Sequence, residues 1–144
     1  MITKAQDEQL ATDDDEDVEE ATSIYKASDI NDAFESGDTD MALEVIDDLF
    51  NTKVTNYLAE ARKEAEENGK TFNERKAQAE AESKAKSSIK ASMTSYWKPL
   101  YKEAYKSGNT AEKERIERIL KASGLYGNAS EVIKTCREWR TERD

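Results

Sequence analysis

The sequence predicts an all-α protein: elongated helical hairpins or a bundle, built on long helices at about 39–67 and 72–97, behind an acidic flexible N-terminal tail. Three observations point there. Apolar residues recur at three- and four-residue intervals over long stretches, and no segment alternates with period two. Gly and Asx residues punctuate those stretches at 37–39, 68–69, 107–109 and 124–128. Apolar residues make up only 36% of the chain against 38% charged, which suits narrow apolar stripes on long helices better than a thick spherical core.

The elements follow in order. Residues 1–20 end in Asp13, Asp14, Asp15, Glu16, Asp17, Val18, Glu19 and Glu20, seven acids in eight positions. Such a run repels itself and reads as a solvated, disordered tail. It is not a calcium loop, because Val18 stands where the sharp turn needs Gly. Helical spacing starts near Val18 with Ala21, Ile24 and Tyr25. A short helix is expected from Ser28 or Asp29 through Ile30, Ala33 and Phe34 to Gly37. Asp38 or Thr39 then caps the first long helix, whose stripe runs Ala42, Val45, Ile46, Leu49, Phe50, Val54, Tyr57, Leu58, Ala61 and Ala65. Asn68 and Gly69 end it.

Thr71 with Glu74 forms a capping-box pattern for the second long helix. Its stripe is thin at Ala77, Ala81 and Ala85, then strengthens at Ile89, Met93 and Trp97. Pro99 predicts a kink or a fresh helix start near Lys98, because it removes the N–H that would reach the Ser95 carbonyl. Leu100, Tyr101, Ala104 and Tyr105 continue to Gly108, with Tyr96, Tyr101 and Tyr105 expected toward the core. Asn109 with Glu112 caps a helix carrying Ile116, Ile119 and Leu120. Asn128 with Glu131 caps the last, with Val132, Ile133, Cys136 and Trp139 on one side.

An internal similarity appears at an offset of 71: Ala33–Thr39 aligns with Ala104–Thr110, and Val45 and Leu49 align with Ile116 and Leu120. The expectation is a helical domain over 21–144 with two quasi-repeated helix–turn–helix units, at about 29–67 and 98–140. Turn chemistry alone also recruits Gly, Asn and Thr, so two capped hairpins of independent origin give the same pattern.

Composition excludes much chemistry. There is no His, the commonest general base and metal ligand. Cys136 is the one cysteine, so no internal disulfide or thiolate zinc site forms. No glycine arrangement cradles phosphate. No catalytic, cofactor or metal site is expected, and Cys136 beside Val132, Ile133 and Trp139 reads as a small buried hydrophobe. Apolar runs reach only three or four residues, which argues against a membrane span or signal peptide.

Charge is uneven. Residues 1–50 carry 17 acids against Lys4 and Lys26; residues 51–144 carry 15 acids against 20 bases. The candidate acidic patch is the 13–20 run, extended by Asp29, Asp32, Glu35, Asp38, Asp40, Glu44, Asp47 and Asp48. Lys86, Lys90, Lys98, Lys102 and Lys106 recur at multiples of four and form a candidate basic stripe along one side of a helix, able to track phosphates or to meet the acidic region in cis or from another copy. The plainer reading is the polar face of an amphipathic helix. Trp97 and Trp139 continue apolar stripes and read first as core anchors. As interface candidates they come with Arg137 and Arg140, which flank Trp139.

The segment Ser95-Tyr96-Trp97-Lys98-Pro99-Leu100-Tyr101-Lys102-Glu103-Ala104-Tyr105, followed by Ile116–Ser123, Gly124-Leu125-Tyr126-Gly127 and Trp139, resembles a small helical module. Such modules occur in large virion and virion-associated proteins of tailed bacteriophages. The resemblance covers about residues 86–140, leaves the acidic N-terminal third uncovered, and carries no assigned activity. It implies a viral structural or accessory protein, or a fragment of one, located in the virion or the host cytoplasm. The partners expected are proteins, either copies of the chain or other viral proteins. Nucleic acid is a weaker expectation, and an acidic nucleic-acid mimic that inhibits a host enzyme is the alternative from a different class.

Overall fold

The computed structural model describes residues 21–142, so the acidic run at 13–20, its expected flexibility, and Arg143 lie outside the described residues. Five helices follow one another: α1 (Ala27–Glu35), α2 (Thr39–Glu67), α3 (Glu74–Lys106), α4 (Thr110–Ser123) and α5 (Ala129–Thr141). Among the described residues there is no strand. None of these helices is long and apolar enough to cross a membrane.

The long helices form a hairpin. At 1.5 Å per residue α2 extends about 43 Å and α3 about 50 Å. They are covered unequally. In one half, Ala42, Val45, Ile46 and Leu49 of α2 face Ile89, Met93, Trp97 and Tyr101 of α3 in a core completed by α1, α4 and α5. In the other half only Val54, Ala81 and Ala85 are fully buried, with Phe50, Tyr57 and Leu58 packed partly against them. The hairpin therefore continues beyond the five-helix head as a two-helix arm, which the small alanines permit by letting the backbones approach.

Pro99 does not end a helix. The second long helix, expected at 72–97, runs from Glu74 through Pro99 to Lys106. Pro99 and Ser95 both lie on the exposed side, where water can satisfy the Ser95 carbonyl. Meanwhile Met93, Trp97 and Tyr101, all within 1% of full burial, anchor both sides of the proline to one core. The N-cap of α3 is likewise Asn73, which accepts from the Lys76 N–H at 3.1 Å, and not Thr71. Asn outranks Thr as a cap, and Phe72 is held under Arg62, whose guanidinium carbon lies 5.2 Å from the ring centre.

Ahead of α1 the expected helical spacing from Val18 fails within the described residues. Residues 21–26 form no helix. They run antiparallel along α2 as a strap: the Ala21 N–H and C=O both bond Asn56, at 2.7 and 2.9 Å, Ser23 donates to Asp48, and the Tyr25 hydroxyl donates to Glu44 at 2.8 Å. Ile24, counted as part of the stripe, is 84% exposed. Asn56 thus supplies the partners that the Ala21 backbone would have found in a helix, and Asp48 and Glu44 hold the strap by its side-chain hydroxyls. Ile133 is also exposed, because α5 buries only the Val132, Cys136 and Trp139 face.

The two similar turns share their closing bonds. The Asp38 N–H reaches the Ala33 carbonyl at 2.9 Å and the Asn109 N–H reaches that of Ala104 at 2.8 Å; Gly37 and Gly108 bond Phe34 and Tyr105 alike. Asp38 then caps Met41 and Asn109 caps Glu112. The Glu112 carboxylate turns to Arg115 instead of closing a capping box. The same helix closure recurs where Lys70 N–H meets the Ala65 carbonyl at 2.8 Å, a segment outside the offset-71 similarity. Helix-ending geometry by itself is sufficient to produce the match.

Candidate functional site

The described candidate residues fall into three groups. Trp97 and Trp139 belong to the core, 0% and 5% exposed. Trp97 meets Phe34 and Tyr96 edge-on at 6.5 and 4.9 Å, and Trp139 meets Tyr101 and Tyr126 at 6.2 and 6.0 Å. Neither ring is offered to the surface, so as interface residues both are replaced by what covers them. Arg137 is exposed. Arg140 is half-buried over Tyr105, which Lys113 also approaches, each cation 5.2 Å from the ring centre. Tyr105 and Tyr96 are partly exposed and Tyr101 is buried, which corrects the expectation that all three face inward.

Cys136 is 1% exposed, and burial, reinforced by Glu117, pushes its thiol up to about 11. It is therefore held as the protonated, unreactive thiol near neutral pH. Burial likewise moves the Tyr101 and Tyr126 hydroxyls up to about 12, Tyr101 also donating to Glu117 at 2.9 Å. Among the described residues no group of three His, Cys, Asp or Glu side chains is placed to hold a metal.

The basic stripe is real as a sequence of positions on one helix, yet it does not stay on one side. Steps of four residues on a helix of 3.6 per turn drift by about 40° each, so Lys86 and Lys106 point about 200° apart. Each of the first four lysines follows a buried residue by one position (Ala85, Ile89, Trp97, Tyr101) and winds with that row. Their surroundings also differ. Lys98 pairs with Glu142, and Lys102 and Lys106 have partners as well. Lys86 and Lys90 instead line a groove of about 410 Å³ with Ser83 and Ser87 of α3 and Leu125, Tyr126, Gly127 and Glu131 from the α4–α5 corner. The Lys90 ammonium lies 5.1 Å from the Tyr126 ring centre. The Glu131 carboxylate in this groove is committed to the Asn128 N–H at 2.8 Å, the returning half of the α5 capping box.

The acidic face is built by α1 and the first half of α2. Between residues 27 and 52 there are eight acids and no Lys or Arg. Among the described residues, Glu35 alone of these meets a base in an ion pair, Arg115 at 2.9 Å. Asp29 and Asp38 hold backbone N–H groups, and Asp48 and Glu44 hold the strap. Asp32, Asp40 and Asp47 stand exposed.

Sequence reading missed the junction around Glu35. Its carboxylate accepts from the Tyr96 hydroxyl at 2.6 Å and from Arg115 at 2.9 Å, while Arg115 also lies 5.6 Å from the Trp97 ring centre. These residues are 61 and 80 positions apart from Glu35, and no local pattern links them. No family model, curated protein or solved structure matches the chain.

Proposed function

We propose that this is a non-catalytic helical assembly protein that works through protein–protein contacts, as a structural or accessory component of a virus particle. The observation that carries the reading is the arm. Past Val54 the hairpin has too few large side chains to close its own ridge, leaving Tyr57, Leu58, Ala61, Ala65 and Ala77 half-buried. A helix laid on that ridge gains about 1.5–3 kcal/mol for a leucine taken fully out of water. The resemblance of residues 86–140 to modules of tailed-bacteriophage virion proteins supports the viral setting, in the virion or the host cytoplasm. The protonated thiol of Cys136 fits a molecule whose buried groups serve packing.

The test is recovery of tagged chain from purified particles, with light scattering of the isolated protein at micromolar concentration. Particle-associated or self-associated protein is expected. A strict monomer that joins no particle defeats the reading, as does any turnover lost when one carboxylate or the thiol is replaced.

The unneutralised acids of α1 and α2 favour a second reading, an acidic mimic that occupies the basic groove of a nucleic-acid enzyme. Salt-sensitive capture of such an enzyme, abolished by neutralising the acids between 29 and 48, is its signature. Capture that survives the neutralisation removes it.

A further inference from the structure

We infer that copies of this chain associate head to tail, the Lys86–Lys90 groove of one copy taking the Asp40–Glu44–Asp47 face of α2 from the next. The inference rests on the assembly reading above and names its surfaces. The two faces carry opposite charge and do not meet within one molecule. Pocket walls around Lys86 and Lys90 come from α3 and the α4–α5 corner, with no residue of α1 or α2. On the other side, Asp40, Glu44 and Asp47 sit at i, i+4 and i+7, which places all three on one face of α2. That face is exposed and meets no cation among the described residues, the base-paired acid of this region being Glu35 on α1.

Shape and chemistry agree. Lys86 and Lys90 are one helical turn apart, and so are Asp40 and Glu44, so two ammonium groups match acids at the same pitch. Ser83 and Ser87 add hydroxyls beside them, and Tyr126 lines the same groove. Of the lysines farther along α3, Lys98 is paired with Glu142 and Lys102 and Lys106 have partners too, whereas Lys86 and Lys90 meet no acid in any ion pair among the described residues, Lys90 resting over the Tyr126 ring. Because the two faces are different surfaces, the contact is heterologous. It adds copies in an open series and does not stop at a two-fold dimer. Being a contact between solvated charges, it is screened as salt rises.

The experiment is sedimentation velocity on the full chain at low and high ionic strength, with two surface variants checked for native helicity by circular dichroism. Wild type is expected to form dimers and larger species at low salt and to revert toward monomer in high salt. Lys86→Glu with Lys90→Glu, and separately Asp40→Lys with Asp47→Lys, should each be monomeric. An equimolar mixture of the two variants should associate again and grow past dimer, since the two retained faces pair with each other and so do the two reversed ones. Placing all four substitutions in one chain should restore the series. The inference is overturned if the variants associate like wild type or if their mixture stays monomeric. It is equally overturned if the groove variant loses duplex DNA binding in a gel shift while its self-association is untouched, which would assign the groove to phosphates. Salt-insensitive association that is lost with Leu58→Glu would overturn it too, and would leave the assembly reading standing on the arm.

Discussion

Arg115 on α4 donates to Glu35 at the end of α1 across 2.9 Å, and it does so while covering the buried Trp97 ring at 5.6 Å. One side chain thus ties α1, α3 and α4 together. It also holds Glu112 through two bonds of 2.7 and 2.9 Å, which draws the Glu112 carboxyl below its usual range. The Arg115→Ala variant is expected to lose about 1–2 kcal/mol, mostly from the uncovered ring and the lost bidentate pair. Intrinsic fluorescence should shift to the red as water reaches Trp97. An unchanged urea midpoint with unchanged emission would refute the tie.

Pro99 costs α3 a hydrogen bond at a site where the helix runs on regardless. Pro99→Ala should therefore raise stability by about 1–3 kcal/mol, visible as a higher thermal midpoint at undiminished helicity. A loss of stability would mean that the bend at this position, not continuity of the helix, fits α3 to the core.

Two glycines separate conformational cost from crowding. Gly69 has φ +64 with nothing within 4 Å of an added Cβ, whereas Gly127 has φ +86 and its Cβ would lie 2.1 Å from the Glu131 Oε1. Gly69→Ala should cost about 1–2 kcal/mol, the left-handed penalty alone. Gly127→Ala should cost roughly another 1 kcal/mol, because Glu131 must leave its capping box. Equal losses in chemical denaturation would show that the box contributes nothing.

Burial predicts a contrast between neighbouring helices. Ile116 on α4 is 0% exposed and Ile133 on α5 is 43% exposed. Ile116→Ala is expected to cost about 2–5 kcal/mol, and Ile133→Ala to stay within about 0.5 kcal/mol. Unfolding midpoints of the two variants decide the matter directly.

Alkaline pH should unfold the protein earlier than its solvent-exposed groups would suggest. Cys136 is raised from 9.0 to about 11, and Tyr101 and Tyr126 from 10.0 to about 12, chiefly by burial. Above the ordinary values the unfolded chain has released these protons while the folded chain still holds them, so folding stability falls with rising pH. The contribution is complete below about pH 9 and is lost as pH climbs through 11 and 12. Urea midpoints should drop between about pH 9 and 11, less steeply for Cys136→Ala. A flat profile over that range would contradict the burial of these groups.

The sequence by itself determined the all-α class, because stripe spacing and helix punctuation are local signals carried by neighbouring residues. The Gly37 and Gly108 turns, the Asn128–Glu131 box and the placement of Cys136 in the interior were legible for that reason. Tertiary structure alone decided whether Pro99 broke α3: a shared core under Met93, Trp97 and Tyr101 outweighed one lost bond. It also drew residues 21–26 into a strap on α2 and turned Ile133 outward, whereas the burial of Trp97 and Trp139 was already legible from the stripes they continue. The basic stripe shows the boundary most plainly. Its spacing was written in the sequence, but which lysines stayed available depended on Glu142 and the α4–α5 corner, contacts made between segments dozens of residues apart that only chain folding brings together.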